Sequence, residues 1–323
     1  MKKNIFITLI AILGLSSCAT KHAISIEGEN LSALTQVTDN EEPCITPSGG
    51  DDGKNLFYAA KENKYFYNIY KKDNAFSSSV AQKTSGNNMN YSPTYSATTD
   101  KIVFRCQNEG NNTSDIYMMS GTKGKALRQI TDTQNGFEGN PSISKDGKYI
   151  AYDKQSYSYA TTSSFVNILG TNALIIEKSE IWVKNLETGE TTLLGNGYQP
   201  SFSPDGSKIA YVKYAPDAKS CCIWTMEIDG SNQVQLTDAK NGFASKPCWS
   251  PDGKQIAFEA TNKNKKDTDI YIIDIDGDNM IQLTKNKSID MHPHWTTDGY
   301  IYFTSDRGNK KGNYQIWRFK VEE

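Results

Sequence analysis

Two histidines, His292 and His294, stand two residues apart on either side of Pro293. On a regular strand such a pair points the same way, so the two imidazoles are placed to share one metal or one substrate. Asp274, Asp276 and Asp278, in Asp-Ile-Asp-Gly-Asp-Asn, have the spacing of a calcium-loop fragment. No bidentate Glu follows at the required distance, and Asp and Gly are also what a tight turn selects. A Gly-x-Ser-x-Gly nucleophile elbow and a phosphate-cradling glycine loop are both missing, which leaves acyl transfer and nucleotide chemistry without a motif. Cys44, Cys106, Cys221, Cys222 and Cys248 show no metal-ligand spacing, and an odd number cannot all pair. No cofactor and no metal is assigned on these grounds.

A sixth cysteine has a more definite chemistry. Lys2 and Lys3 precede an apolar run, Ile5 to Leu15. That run is shorter than the roughly 20 residues needed to span a bilayer. It ends in Leu15-Ser16-Ser17-Cys18, which resembles the bacterial lipobox, where the thiol takes a diacylglyceryl group and the preceding peptide is removed. Residues 1–17 are therefore expected to be a lipoprotein signal peptide, residues 18–31 a lipidated tether, and Cys18 the membrane anchor, with no transmembrane helix after processing. Ala19, where an Asp would retain the protein at the inner membrane, implies the outer membrane of a bacterial envelope. The formal net charge of −2 carries no attraction to nucleic acid.

The remaining chain, 32–323, is organised by a repeat. Pro200-Ser201-Phe202-Ser203-Pro204-Asp205-Gly206-Ser207-Lys208-Ile209-Ala210-Tyr211 is matched by Pro247 to Phe258 and Pro141 to Tyr152, and more weakly from Pro293, Pro93 and Pro43. A recurrence of about 50 residues with four strand-like runs per copy predicts propeller blades, here six. Strand A is expected to begin at each proline. An Asp-Gly turn leads to strand B, such as Ile209-Ala210-Tyr211-Val212. Strand C is the Asp269-Ile270-Tyr271 type and strand D ends in Gln-Leu-Thr, as at Gln282-Leu283-Thr284. The last copy stops after strand C, while Thr35-Gln36-Val37-Thr38 near the N-terminus reads as a strand D. The fold class predicted is all-β: a six-bladed β-propeller closed by an N-terminal strand that completes the last blade.

The repeat Pro-x-Trp-Ser-Pro-Asp-Gly-x-x-Ile-Ala-Phe, then Asp-Ile-Tyr, then Gln-Leu-Thr, resembles the TolB-like propeller repeat, over roughly residues 32 to 323. The resemblance implies the fold. The α/β domain that precedes the propeller in TolB is expected to be absent here. Propeller lyases, which place His and acidic residues around a metal near the channel, are the enzymes in which His292 and His294 would find a role.

In such a propeller the D–A and B–C connections share one face and the A–B and C–D turns the other. The polar residues placed ahead of the anchor prolines, Glu42, Asn90, Asn140, Gln199, Lys246 and His292, are expected to ring the first face near the channel. The long B–C connection of the third repeat, near 155–179, carries Phe165, Ile168, Leu169 and Ile175 and predicts a hairpin or the lip of a partner site. Lys265 and Lys266, with Lys263, Arg307, Lys310 and Lys311, charge the same face. The expected function is a non-catalytic envelope lipoprotein that binds a protein, peptide or glycan. A polyuronate lyase using His292 and His294, and a purely structural role, are the alternatives.

Overall fold

The computed structural model describes residues 31–50, 54–63, 65–110, 113–123, 127–134, 136–159, 174–215, 220–238, 242–261, 267–308 and 312–321. All regular elements among them are strands. Blade 1 holds β2 (Cys44–Gly49), β3 (Leu56–Lys61), β4 (Tyr67–Lys72) and β5 (Val80–Gln82). Blade 2 holds β6 (Asn88–Ser96), β7 (Lys101–Asn108), β8 (Asp115–Ser120) and β9 (Arg128–Gln129). Blade 3 holds β10 (Phe137–Ile143), β11 (Tyr149–Tyr159), β12 (Leu174–Asn185) and β13 (Thr191–Asn196). Blade 4 holds β14 (Tyr198–Phe202), β15 (Lys208–Tyr214), β16 (Cys221–Glu227) and β17 (Val234–Gln235). Blade 5 holds β18 (Phe243–Trp249), β19 (Gln255–Thr261), β20 (Thr268–Asp274) and β21 (Ile281–Gln282). Blade 6 holds β22 (Asp290–Trp295), β23 (Tyr300–Ser305), β24 (Gln315–Lys320) and, from the other end of the chain, β1 (Ser32–Gln36).

β1 runs antiparallel to β24, with Ser32 opposite Lys320 and Gln36 opposite Trp317. The N-terminal strand therefore is the fourth strand of blade 6. The Thr of the Gln-Leu-Thr ending has a defined task. Its hydroxyl accepts the N–H of a strand C isoleucine, in Thr84 from Ile69, Thr131 from Ile116, Thr237 from Ile223 and Thr284 from Ile270, at 2.8–2.9 Å. Thr38, just past β1, does the same for Ile316 at 2.8 Å. A strand of two or three residues is held to its neighbour by this extra bond.

The apolar residues pack between blades. Strand B is buried on both faces, as in Ile209 to Val212 at 0–1% exposure, because each blade is sandwiched by its neighbours. Six clusters among the described residues join blades pairwise, such as Ala151, Ile181 and Val183 of blade 3 against Phe202, Ile209 and Tyr211 of blade 4. The cluster of Val37, Tyr302 and Ile316 with Cys44, Leu56 and Tyr58 joins blade 6 to blade 1.

The A–B turns of blades 3, 4 and 5 share one construction. Ser203 Oγ donates to Asp205 Oδ1 at 2.6 Å and accepts from Lys208 N at 2.9 Å, and Gly206 takes a φ of 75°. Only a residue tolerant of that left-handed conformation fits there. In blade 2, which lacks the glycine, Asp100 itself adopts a φ of 54° and is tied to Ser120 and Thr122.

Two expectations about the strands need correction. The anchor proline does not begin strand A: Pro247 lies in the middle of β18, after a register shift between Ser245 and Cys248. Proline has no N–H to give and survives on this inner edge strand at a bulge. The proline of blade 1 that occupies this position is Pro47, preceded by Thr46, and not Pro43, which lies before β2 begins.

Candidate functional site

The inner strands line a central channel. At the bulge of each blade the residue before the proline takes a positive φ, 44–54°, in Thr46, Ser92, Asn140, Gln199, Lys246 and His292. A left-handed conformation costs a non-glycine residue on the order of 1 kcal/mol. The bulge turns the backbone N–H toward the preceding blade, where a side chain receives it. Gln199 N donates to Asp153 Oδ2 at 2.7 Å, Lys246 N to Gln199 Oε1 at 2.9 Å, His292 N to Glu259 Oε2 at 2.7 Å and Thr46 N to Thr304 Oγ1 at 3.2 Å.

One layer along, the residue after the proline ties its blade to the next in four of the six blades. Thr94 Oγ1 donates to Pro141 O at 3.2 Å, and Ser142 Oγ accepts from Phe202 N at 3.0 Å. Cys248 Sγ accepts from Trp295 N at 3.3 Å, and His294 Nε2 donates to Gly49 O at 3.0 Å.

The charged groups of the site come from two layers. In strand B the residue facing the bulge is Ala59, Arg105, Asp153, Val212, Glu259 or Thr304 around the ring. Asp153 is 1% exposed, and burial pushes its carboxyl above the ordinary range against bonds from Gln199 N and Asn140 Nδ2. Glu259 also accepts from Ser245 Oγ at 2.7 Å. Lys246 extends across the front of blade 4, and its Nζ donates to Asn140 Oδ1 of blade 3 at 2.6 Å. Burial lowers its pKa, while Glu259 and Asp153 oppose the shift. Below this ring, toward the A–B turns, the channel widens into a cavity of about 220 Å³. Its walls are the prolines, the residues that follow them, and Tyr95, Phe202, Trp249 and Trp295.

The six residues expected to ring the face near the channel are thus divided. Asn140, Gln199, Lys246 and His292 sit together, in the middle of the channel rather than at its rim. Asn90 is two residues early. It is 2% exposed and donates to Tyr67 O and Asn68 Oδ1, stitching blade 2 to blade 1. Glu42 lies before β2, exposed, 3.7 Å from Lys61 Nζ. Thr46 and Ser92 hold the positions assigned to those two. The equal orientation expected of His292 and His294 fails because the bulge breaks the strand's alternation. His292 Nδ1 lies 3.4 Å from Thr304 Oγ1, while His294 turns to Gly49 of blade 1. Among the described residues no three metal-ligating side chains gather. Asp274, Asp276 and Asp278 lie at the C–D turn of blade 5, where Asp274 accepts from Gln255 and Asn279.

On the loop face, Arg307 is no rim charge: it is 1% exposed, paired with Asp290 at 2.5 Å and stacked over Phe303 and Trp317. Strands β11 and β12 prolong the blade 3 hairpin, with Ser158 opposite Ile175. Cys18, Phe165, Ile168, Leu169, Lys265 and Lys266 lie outside the described residues, as does the side chain of Ile175. Asp153, Glu259 and Arg105 escaped the sequence reading. Their signal was a charge in a strand B position that is otherwise small or apolar.

The family model "TolB beta propeller domain" matches residues 197–323. The Tol-Pal system protein TolB of Francisella tularensis subsp. mediasiatica is 26% identical over 246 residues, which are 67% of this chain and 55% of that protein. The chain thus spans about half the length of such curated relatives. The crystal structure of TolB from Acinetobacter baumannii superposes with a TM-score of 0.63 at 21% identity, over 80% of this chain and 59% of that one. An oligogalacturonate lyase in complex with manganese gives 0.59 at 16% identity, over 94% and 96%. Repeat, blade architecture and relatives agree: the chain folds as a β-propeller with TolB-like repeats.

Proposed function

We propose that this protein is a non-catalytic binding module of the bacterial cell envelope, anchored through a lipid on Cys18, which presents its D–A and B–C face to a protein or peptide partner. The observation that carries this reading is where the chain enters the propeller. Ser32 starts β1 opposite Lys320, and Val321 N donates to Gly299 O of the blade 6 A–B turn at 2.9 Å. The tether therefore leaves from the A–B and C–D face, and the opposite face points away from the anchor. Among the described residues that distal face carries three of the four exposed aromatic side chains, Tyr65 at 60%, Tyr214 at 51% and Phe243 at 45%; the fourth, Phe76, lies on the C–D connection of blade 1. Exposed aromatics beside polar loops have the composition of an interface. The prolonged β11–β12 hairpin rises from the same face and carries the insert with Phe165, Ile168, Leu169 and Ile175, while Lys265 and Lys266 belong to its blade 5 loop.

Photo-crosslinking in living cells tests the choice of face. A crosslinker at Tyr214 or Phe243 is expected to trap a defined partner, and one at Asp205 or Asp252 to trap none. Adducts from the Asp-Gly turns alone would place the interface on the wrong side. The lyase alternative has a fold likeness behind it, but its two histidines turn to different blades, which favours binding over elimination.

A further inference from the structure

We propose that the channel cavity is a second site, for a carboxylate with a short apolar body, seated with its carboxylate on the ammonium group of Lys246. The pre-proline ring forms the inner end of the cavity, since no residue on the D–A side of the ring lines it. Lys246 Nζ has three protons to donate and, among the described residues, one hydrogen-bond partner, Asn140 Oδ1. The neighbouring carboxylates do not complete it. Asp153 accepts from Gln199 N and Asn140 Nδ2, and Glu259 from His292 N and Ser245 Oγ. A sheltered ammonium without a direct counter-ion is costly, and an arriving anion removes that cost. The blade 1 wall of the same cavity holds two polar groups without a partner, Thr46 Oγ1 and Ser48 Oγ, in residues 9% and 1% exposed.

The rest of the lining sets the ligand class. Toward the mouth the walls are proline rings and the faces of Tyr95, Phe202, Trp249 and Trp295, which suit an apolar body. The inner end holds one ammonium, that of Lys246, and no arginine, a match for a single negative charge rather than a phosphate dianion, while Lys145 lines the space at the blade 3 A–B turn, exposed. At about 220 Å³ the cavity is below the size of ordinary drug-sized sites and holds a short organic acid or the last residue of a peptide. It opens at the end opposite the partner face, so this site stands or falls independently of that one.

Calorimetric titration of the purified full chain tests this with butyrate, benzoate and an N-acetylated dipeptide ending in Leu, each beside its amide. At least one acid is expected to bind with a Kd below about 10 mM, and its amide roughly tenfold more weakly. Binding by the dipeptide acid alone identifies a peptide C-terminus as the source, and binding by butyrate or benzoate a free acid. Lys246→Met is expected to abolish binding and Lys246→Arg to retain part of it, with the β-sheet circular dichroism unchanged. If Lys246→Met does not fold, the acid-to-amide ratio in the unaltered chain still decides. Equal binding of acid and amide, no binding by any acid, binding unchanged in a folded Lys246→Met, or binding of inorganic phosphate in their place would overturn the proposal.

Discussion

Burial holds both channel histidines neutral, His292 and His294 each at a pKa of about 4 against an ordinary 6.5. Between those values the unfolded chain takes up a proton at each ring and the native chain does not. Stability therefore falls as the pH drops through that window, by on the order of 2–3 kcal/mol per ring, and the loss is complete near pH 4. Asp153 acts with the opposite sign, because burial raises its carboxyl and acidification relieves it. In urea unfolding between pH 7 and 4, a His292→Gln, His294→Gln double variant is expected to lose less stability than the parent. Equal slopes for the two proteins would show that the rings are solvated. At this scale the sequence was only partly readable. Asn140, Gln199, Lys246 and His292 stood out because a polar residue before an anchor proline recurs. Thr46 did not, since Pro43-Cys44-Ile45 imitates the start of a blade and hides Pro47; Ser92 stands directly before the anchor Pro93, two residues after the Asn90 expected there. Nothing in the spacing reveals that Lys246 reaches blade 3.

The elements were far more readable, and for a physical reason: each blade must repeat the same turn and the same extra bond. Ser-x-Asp-Gly marks the A–B turn because a hydroxyl and a carboxylate close it, and the final Thr of Gln-Leu-Thr marks strand D because it caps strand C. That is why Thr35-Gln36-Val37-Thr38 could be recognised as a strand D so far from its blade. What could not be read was where strand A begins, since its upstream half has no residue type common to the six blades; Phe243 is matched by Phe137 of blade 3, while Tyr91 and Met291 stand where Ser245 does. Removing residues up to Asp39 takes away β1, the buried Val37 and the Thr38 bond to Ile316. It also bares the edge of β24. The expected loss is about 4 kcal/mol or more, with aggregation of the truncated chain. A chain starting at Asn40 with the urea midpoint of the longer protein would mean that the ring does not need this strand.

For the molecule as a whole, the two faces have different tasks. One carries both described ends of the chain and the mouth of the cavity. The other carries Tyr65, Tyr214 and Phe243, three of the four exposed aromatics among the described residues, and the long hairpin. The five described cysteines are free, and burial drives their thiols up, Cys106 and Cys248 to about 11, which keeps them protonated and slow to oxidise. Cys18→Ala is expected to abolish acyl labelling and move the protein to the soluble fraction. Retention on the membrane at high salt would place the anchor elsewhere.

The antiparallel pairing of β1 with β24 also determines how the protein bears force. A pull on the chain ahead of Ser32, directed along the length of β1, would be carried by the pairing of that strand with β24. The hydrogen bonds between β1 and β24 lie across that direction. The load would fall on all of them together, in shear, instead of opening them one after another like a zip. The strand that closes the ring is then also the mooring line, attached in the geometry that resists being pulled out.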